Sequence, residues 1–170
     1  MSEPSAVVLR ARAFAEGAHM NQARKYTGEP YFNHVHNVAK IVREVPTCTP
    51  EMIAAAYLHD VVEDTPTTLE MVQEGFGTEV ALLVYWLTDQ SKPSDGNRAK
   101  RKAIDRDHLA RAPADAQTIK LADLIDNTSS IVLHDPDFAK VYMREKQQLL
   151  EVLTKGDPVL MQRARAQITT

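Results

Sequence analysis

The chain has 170 residues, 44% of them hydrophobic and 25% charged. That is enough apolar material for a core of one domain, and it excludes wholesale disorder. A net charge of −3 excludes a nucleic-acid binder held by overall electrostatics, and the single cysteine, Cys48, excludes an intrachain disulfide. The N-terminal stretch carries Glu3, Arg10, Arg12 and Glu16 and reads as no secretory signal, and the longest apolar run, residues 80–87, is too short to span a bilayer. The expected setting is a reducing cytoplasm, with neither nucleic acid nor membrane as partner; an oligomer is compatible with the sequence.

Apolar periodicity predicts a first helix over residues 5–20, with Val7, Val8, Ala11, Phe14, Ala15 and Ala18 on one face. Thr27-Gly28-Glu29-Pro30 is a turn, and a second helix is expected over 32–45, stopped by Pro46. Thr49-Pro50-Glu51 has the form of a helix start, Thr as N-cap and Pro at the first helical position, for a helix continuing to about Asp64. A short helix over 69–74 follows, broken at Gly75-Phe76-Gly77, and Thr78 is expected to cap an apolar helix over 80–88. Residues 89–97 are polar, rich in breakers, and the best candidate for a mobile loop. Further helices are expected over 98–110, 117–133, 138–153 and 159–166, with His134-Asp135-Pro136 as a stop. No alternating strand pairs are readable, so the fold class is all-α, one domain over the whole chain.

Four separated segments carry chemistry. In the segment HDVVEDT, His59 and Asp60 offer an imidazole nitrogen and a carboxylate oxygen to one divalent cation. Glu63 and Asp64 lie one turn further along a continuous helix, a placement that the helix dipole disfavours and that therefore suggests another use. His34 follows Tyr31-Phe32-Asn33 at the start of an apolar helix, where a capping or surface role is the plain alternative; His36 would point elsewhere. Asp123 lies within a strongly apolar helix, where a carboxylate must be exposed, paired or bound to a cation. Arg24-Lys25 precedes the Gly-Pro turn and either is solvated or grips phosphate.

The order His34, His59-Asp60, Asp123 resembles the H…HD…D metal signature of the HD-domain phosphohydrolase superfamily. The surrounding segments ARKYTGEPYFNH, AAAYLHDVVEDT, FGTEVALLVYWLT and TIKLADLIDNT resemble the hydrolase domain of RelA/SpoT-type enzymes over about residues 11–153. Those enzymes remove the 3′-pyrophosphate of the alarmones ppGpp and pppGpp, giving GDP or GTP and pyrophosphate. The chain is too short for the additional synthetase and regulatory domains of the long enzymes and resembles the small single-domain alarmone hydrolases. The resemblance implies His34, His59, Asp60 and Asp123 as ligands of one metal ion, usually Mn²⁺. It implies Glu63 and Asp64 as the acidic pair that positions and activates water, and Arg24, Lys25 and Asn127 as nucleotide contacts. Leu124 and Asp126 depart from the residues common in this stretch of the family. An HD-type phosphohydrolase of another phosphorylated nucleotide is the alternative function. It shares the metal set but lacks a reason for the Arg-Lys pair, the Glu-Asp-Thr extension and Asn127.

Other residues read more plainly. His19 suits a capping or supporting role better than metal ligation. Arg98, Lys100, Arg101 and Lys102 form a solvated helix face, with Arg101 and Asp105 as an i,i+4 pair, or supply cations beside a departing phosphate group. His108 and His134 read as surface residues, Tyr142, Arg144 and Lys146 as a solvated helix face, and Tyr85 and Trp86 as core.

Overall fold

In the computed structural model, residues 3–168 are described, and they are all-α: ten α-helices, one short 3₁₀ helix and no strand beyond an isolated bridge between Ala23 and Pro30. Among these residues no helix is long and apolar enough to cross a membrane. The chain folds as two compact units that divide between Thr88 and Asp89.

The first unit holds α1 (Ala6–Ala18), α2 (Phe32–Arg43), α3 (Pro50–Leu58), α4 (Val61–Asp64), α5 (Leu69–Phe76) and α6 (Thr78–Leu87). Helix α3 is its centre and packs against α1, α2 and α6. The Ala54-Ala55-Ala56 run suits that place, because small side chains bring helix axes close. Met52, Tyr57 and Leu58 are fully buried around it. Thr49 caps α3 by accepting from the Met52 N–H at 3.2 Å, and Pro50 takes the first helical position.

Three details differ from the sequence expectation, the first being that α5 runs through Gly75 to Phe76 instead of breaking at Gly75. The helix expected to run unbroken from Thr49 to Asp64 is interrupted at His59-Asp60, so α3 ends at Leu58 and α4 is a single turn. The start of α6 is set by Gly77 (φ 91°, ψ 168°), a conformation only glycine adopts freely, and not by Thr78, which is already helical.

The second unit holds η1 (Pro93–Asp95), α7 (Arg98–Ala110), α8 (Ala114–His134), α9 (Pro136–Val152) and α10 (Pro158–Ala166). Helix α8 packs on α9 and α10, and α7 packs on α9. Buried Gln117 ties the unit together: its amide donates to the Leu109 carbonyl at 3.0 Å, and its oxygen accepts from the Lys155 N–H at 2.9 Å. The segment expected to be mobile is tethered at its start. The Gln90 and Ser91 N–H groups each donate to Asp105 Oδ1 at 2.8 Å, and the Ser91 hydroxyl donates to Oδ2 at 2.6 Å. Asp105 is therefore buried and turned to this loop, and the expected Arg101–Asp105 pair does not form.

Candidate metal centre and phosphate-binding residues

In the first unit the end of α3 and the first turn of α2 bring three donors together. Ligating atoms of His34, His59 and Asp60 all lie within 4.8 Å of one another. His59 Nε2 is 3.0 Å and His34 Nε2 is 3.8 Å from Asp60 Oδ2, and the two rings meet edge to face. Both imidazoles are buried, at 1% and 2% exposure, while Asp60 is half-buried.

The convergence coincides with a break in the helix. His59 and Asp60 stand at the junction of α3 and α4, where Asp60 opens to φ −106°, ψ −1° while staying in the right-handed helical region. His59 Nδ1 donates to the Ala56 carbonyl at 2.7 Å. That bond places the ring hydrogen on Nδ1 and leaves Nε2 with a lone pair. A lone pair 3.0 Å from a carboxylate oxygen is repulsive unless a proton or a cation lies between them. The donor set, two imidazoles and a carboxylate with one ring fixed through its far nitrogen, fits a divalent transition metal.

A phenol supports this centre from outside. The Tyr31 hydroxyl donates to Asp60 Oδ2. Tyr31 was legible as a neighbour of His34 but not as a partner of Asp60. The available signal was its position one turn before His34, where both side chains reach the same side.

The acidic pair lies on α4. Glu63 and Asp64 are both exposed, and Asp64 Oδ2 accepts from Gln22 Nε2 at 3.1 Å. Surrounding protein and the neighbouring Asp60 carboxylate push the Asp64 carboxyl above the usual range. Arg24 and Lys25 sit in a turn closed by two backbone bonds: the Arg24 N–H donates to the Glu29 carbonyl at 2.8 Å, and the Gly28 N–H donates to the Arg24 carbonyl at 3.1 Å. Gly28 has φ 70°, the left-handed conformation this tight return needs. Lys25 is exposed, with its ammonium 5.2 Å from the Tyr26 ring centre.

Asp123 and Asn127 belong to the second unit, on α8. Asp123 is buried and accepts two hydrogen bonds from its own helix: Lys120 Nζ donates to Oδ2 at 2.8 Å, and Asn127 Nδ2 donates to Oδ1 at 3.0 Å. Both face a cavity of about 280 Å³ within this unit. The cavity is lined by Arg98, Lys102, Arg106, Lys120 and Lys146, by the acids Asp89, Asp105 and Glu145, and by apolar side chains such as Leu124 and Phe138. Of the basic run at the start of α7, only Arg98 and Lys102 reach it, and Arg98 is held by Glu145 in a two-bond pair at 2.7 and 2.9 Å.

Lys146 and His108, read from the sequence as solvated, are both buried; Arg144 and His134 are exposed as expected. Tyr85 and Trp86 are half-buried and stack edge to face with each other.

The family model described as HD domain matches residues 11–155. The chain belongs to the HD-domain family. Within it, the HD domain is similar to the guanosine-3′,5′-bis(diphosphate) 3′-pyrophosphohydrolase MESH1 of Drosophila melanogaster, 37% identical over 78% of this chain and 74% of that protein. It is also 35% identical to a probable guanosine-3′,5′-bis(diphosphate) 3′-pyrophosphohydrolase of Synechocystis, over 88% of this chain but 20% of that longer protein. Among solved structures, the HD domain superposes with a TM-score of 0.88 and 29% identity on a metazoan ortholog of SpoT that hydrolyzes ppGpp, covering 98% of this chain and 96% of that one.

Proposed function

We propose that this HD domain works as one functional domain, a Mn²⁺-dependent hydrolase that removes the 3′-pyrophosphate of ppGpp and pppGpp, releasing GDP or GTP and pyrophosphate. The observation that carries the reading is the convergence of His34, His59 and Asp60, with two opposed lone-pair donors that call for a cation. The names borne by the MESH1 relatives support the substrate, and the one-cysteine composition supports a cytoplasmic setting.

His34, His59 and Asp60 hold the single metal ion, and Asp123 is assigned as the fourth ligand by its place in the KLAD segment alone. Mn²⁺ is named by the resemblance to RelA/SpoT-type hydrolases, and the mixed imidazole and carboxylate donors accept it as they do other divalent first-row ions. When bound, such an ion polarises a phosphoryl group and acidifies water. Glu63 and Asp64 orient the attacking water and accept its proton; the raised affinity of Asp64 for a proton matches that task. Arg24 and Lys25, presented by a turn closed by backbone hydrogen bonds, bind the phosphate groups, and Asn127 contacts the nucleotide.

This division is tested by metal content measured alongside single-turnover ppGpp hydrolysis. His59→Ala is expected to lose both bound Mn²⁺ and activity. Glu63→Gln is expected to keep the metal while kcat falls by roughly 10²–10⁴-fold, the usual contribution of a general acid–base group. Loss of Mn²⁺ from Glu63→Gln as complete as from His59→Ala would make Glu63 a ligand and contradict the assignment.

A further inference from the structure

His19 is fully buried yet has one polar attachment. Its Nδ1 lies 2.8 Å from Gln22 Oε1, while its Nε2 is enclosed without a hydrogen-bond partner among the described residues. A buried polar atom left unsatisfied costs stability, so an imidazole here is costlier than an apolar side chain of similar size. Something other than packing accounts for it.

Gln22 extends the attachment. Its Nε2 donates to Asp64 Oδ2 at 3.1 Å. An ionised carboxylate only accepts, so the Gln22 amide must turn its NH₂ to Asp64 and its oxygen to His19. That fixes the ring as well: His19 Nδ1 carries the hydrogen and donates to Gln22. The backbone holds both residues in place. His19 caps α1 and donates to the Ala15 carbonyl at 3.0 Å, while the Gln22 N–H donates to the His19 carbonyl at 2.9 Å. The Gln22 carbonyl accepts from the Tyr31 N–H at 2.8 Å, and it is Tyr31 whose hydroxyl donates to Asp60. One loop thus supplies both outer contacts, Tyr31 to Asp60 and Gln22 to Asp64.

We propose that His19 and Gln22 are positioning residues for the reaction: in series, they hold one oxygen of Asp64 so that the other faces the water whose proton it accepts. The proposal rests on the reading of Asp64 as part of the proton-accepting pair. It predicts that the direction of hydrogen bonding matters, and not only the space that His19 fills.

The test combines ppGpp kinetics with ¹⁵N NMR of the His19 ring in metal-free protein, for wild type, Gln22→Met, His19→Ala, His19→Asn and His19→Gln. An Asn amide nitrogen falls near the position of Nδ1 and can still donate to Gln22, whereas a Gln amide falls near Nε2 and cannot. Gln22→Met, His19→Ala and His19→Gln are expected to lower kcat by about 10–100-fold with little change in KM, the usual scale for residues that orient a site from outside. His19→Asn is expected to recover most of that loss. In the NMR spectrum, wild-type His19 is expected as the Nδ1–H form, and Gln22→Met to abolish that preference. Gln22 is only partly buried, so Gln22→Met separates positioning from a folding defect at His19.

An Nε2–H ring in the wild type, or wild-type kcat in Gln22→Met, overturns the proposal. So does His19→Asn as inactive as His19→Ala. A wild-type protein that leaves ppGpp intact defeats the functional reading and the positioning role with it. Normal wild-type turnover with unaltered Gln22→Met turnover defeats the positioning role alone.

Discussion

The burial of Lys146 gives the protein a pH-dependent stability. The residue is 1% exposed, and its ammonium donates to two neutral oxygens, Thr128 Oγ1 and Gln167 Oε1, each at 2.8 Å. Burial without a carboxylate partner lowers its pKa from 10.5 to about 8. Between those values the unfolded chain holds a proton that the folded chain has released, so this group makes stability rise with pH through that window. The half-buried Tyr142 hydroxyl, raised to about 12, acts in the opposite direction above pH 10, where the unfolded phenol ionises first. Chemical denaturation of wild type and Lys146→Met between pH 7 and 10 isolates the lysine: the wild type is expected to gain on the variant by about 2–3 kcal/mol as pH rises. A constant difference across that range would mean that Lys146 stays charged when folded. The sequence contained the signal for this burial. Met143, Lys146 and Leu150 form an i, i+3, i+7 stripe, and all three are buried. The polar residue type masks that stripe, as it does for His108, which is buried with Asp105 and Leu109 on one stripe of α7. The metal-binding candidates were legible because His34, His59 and Asp60 form an order in the chain that packing alone does not require. Gln22 was not legible, because an amide makes no pattern until the fold places a carboxylate beside it.

At the scale of elements, helix starts and stops were readable at Thr49-Pro50 and Asp135-Pro136, where the side chains of Thr49 and Asp135 cap α3 and α9, but not at Gly75 and Thr78, where α5 runs on to Phe76 and Gly77 opens α6. The break at His59-Asp60 was not readable, since nothing in LHDVVED stops a helix; the convergence of two imidazoles on Asp60 coincides with it. The tether between α7 and the preceding loop was also hidden, because the Asp105 carboxylate binds backbone N–H groups, which have no sequence signature. Its three hydrogen bonds reach a buried, charged acceptor, the strong kind. Asp105→Ala is expected to destabilise the protein by about 2 kcal/mol or more and to speed amide exchange at Gln90 and Ser91. Asp95→Ala, which removes an exposed acceptor for the Lys92 N–H, is expected to leave those two amides protected. Unchanged exchange at Gln90 and Ser91 in Asp105→Ala would show that the loop is held by other contacts.

At the scale of the molecule, the resemblance read from four sequence segments, about residues 11–153, and the HD-domain match over residues 11–155 nearly coincide. Each unit contributes its own chemistry: the first a compact donor set with an acidic pair and a basic turn, the second a cavity of mixed charge lined by Asp123 and Asn127. The central claim is that these residues serve one reaction, metal-dependent release of pyrophosphate from a guanosine tetraphosphate. The most direct measurement is turnover of ppGpp by the full chain with Mn²⁺, the products identified and quantified, with a parallel sample stripped of metal by chelator. The account predicts GDP and pyrophosphate in equal amounts, with turnover lost on chelation and restored by added Mn²⁺. Release of orthophosphate, turnover undiminished after metal removal, or no turnover of ppGpp would contradict it.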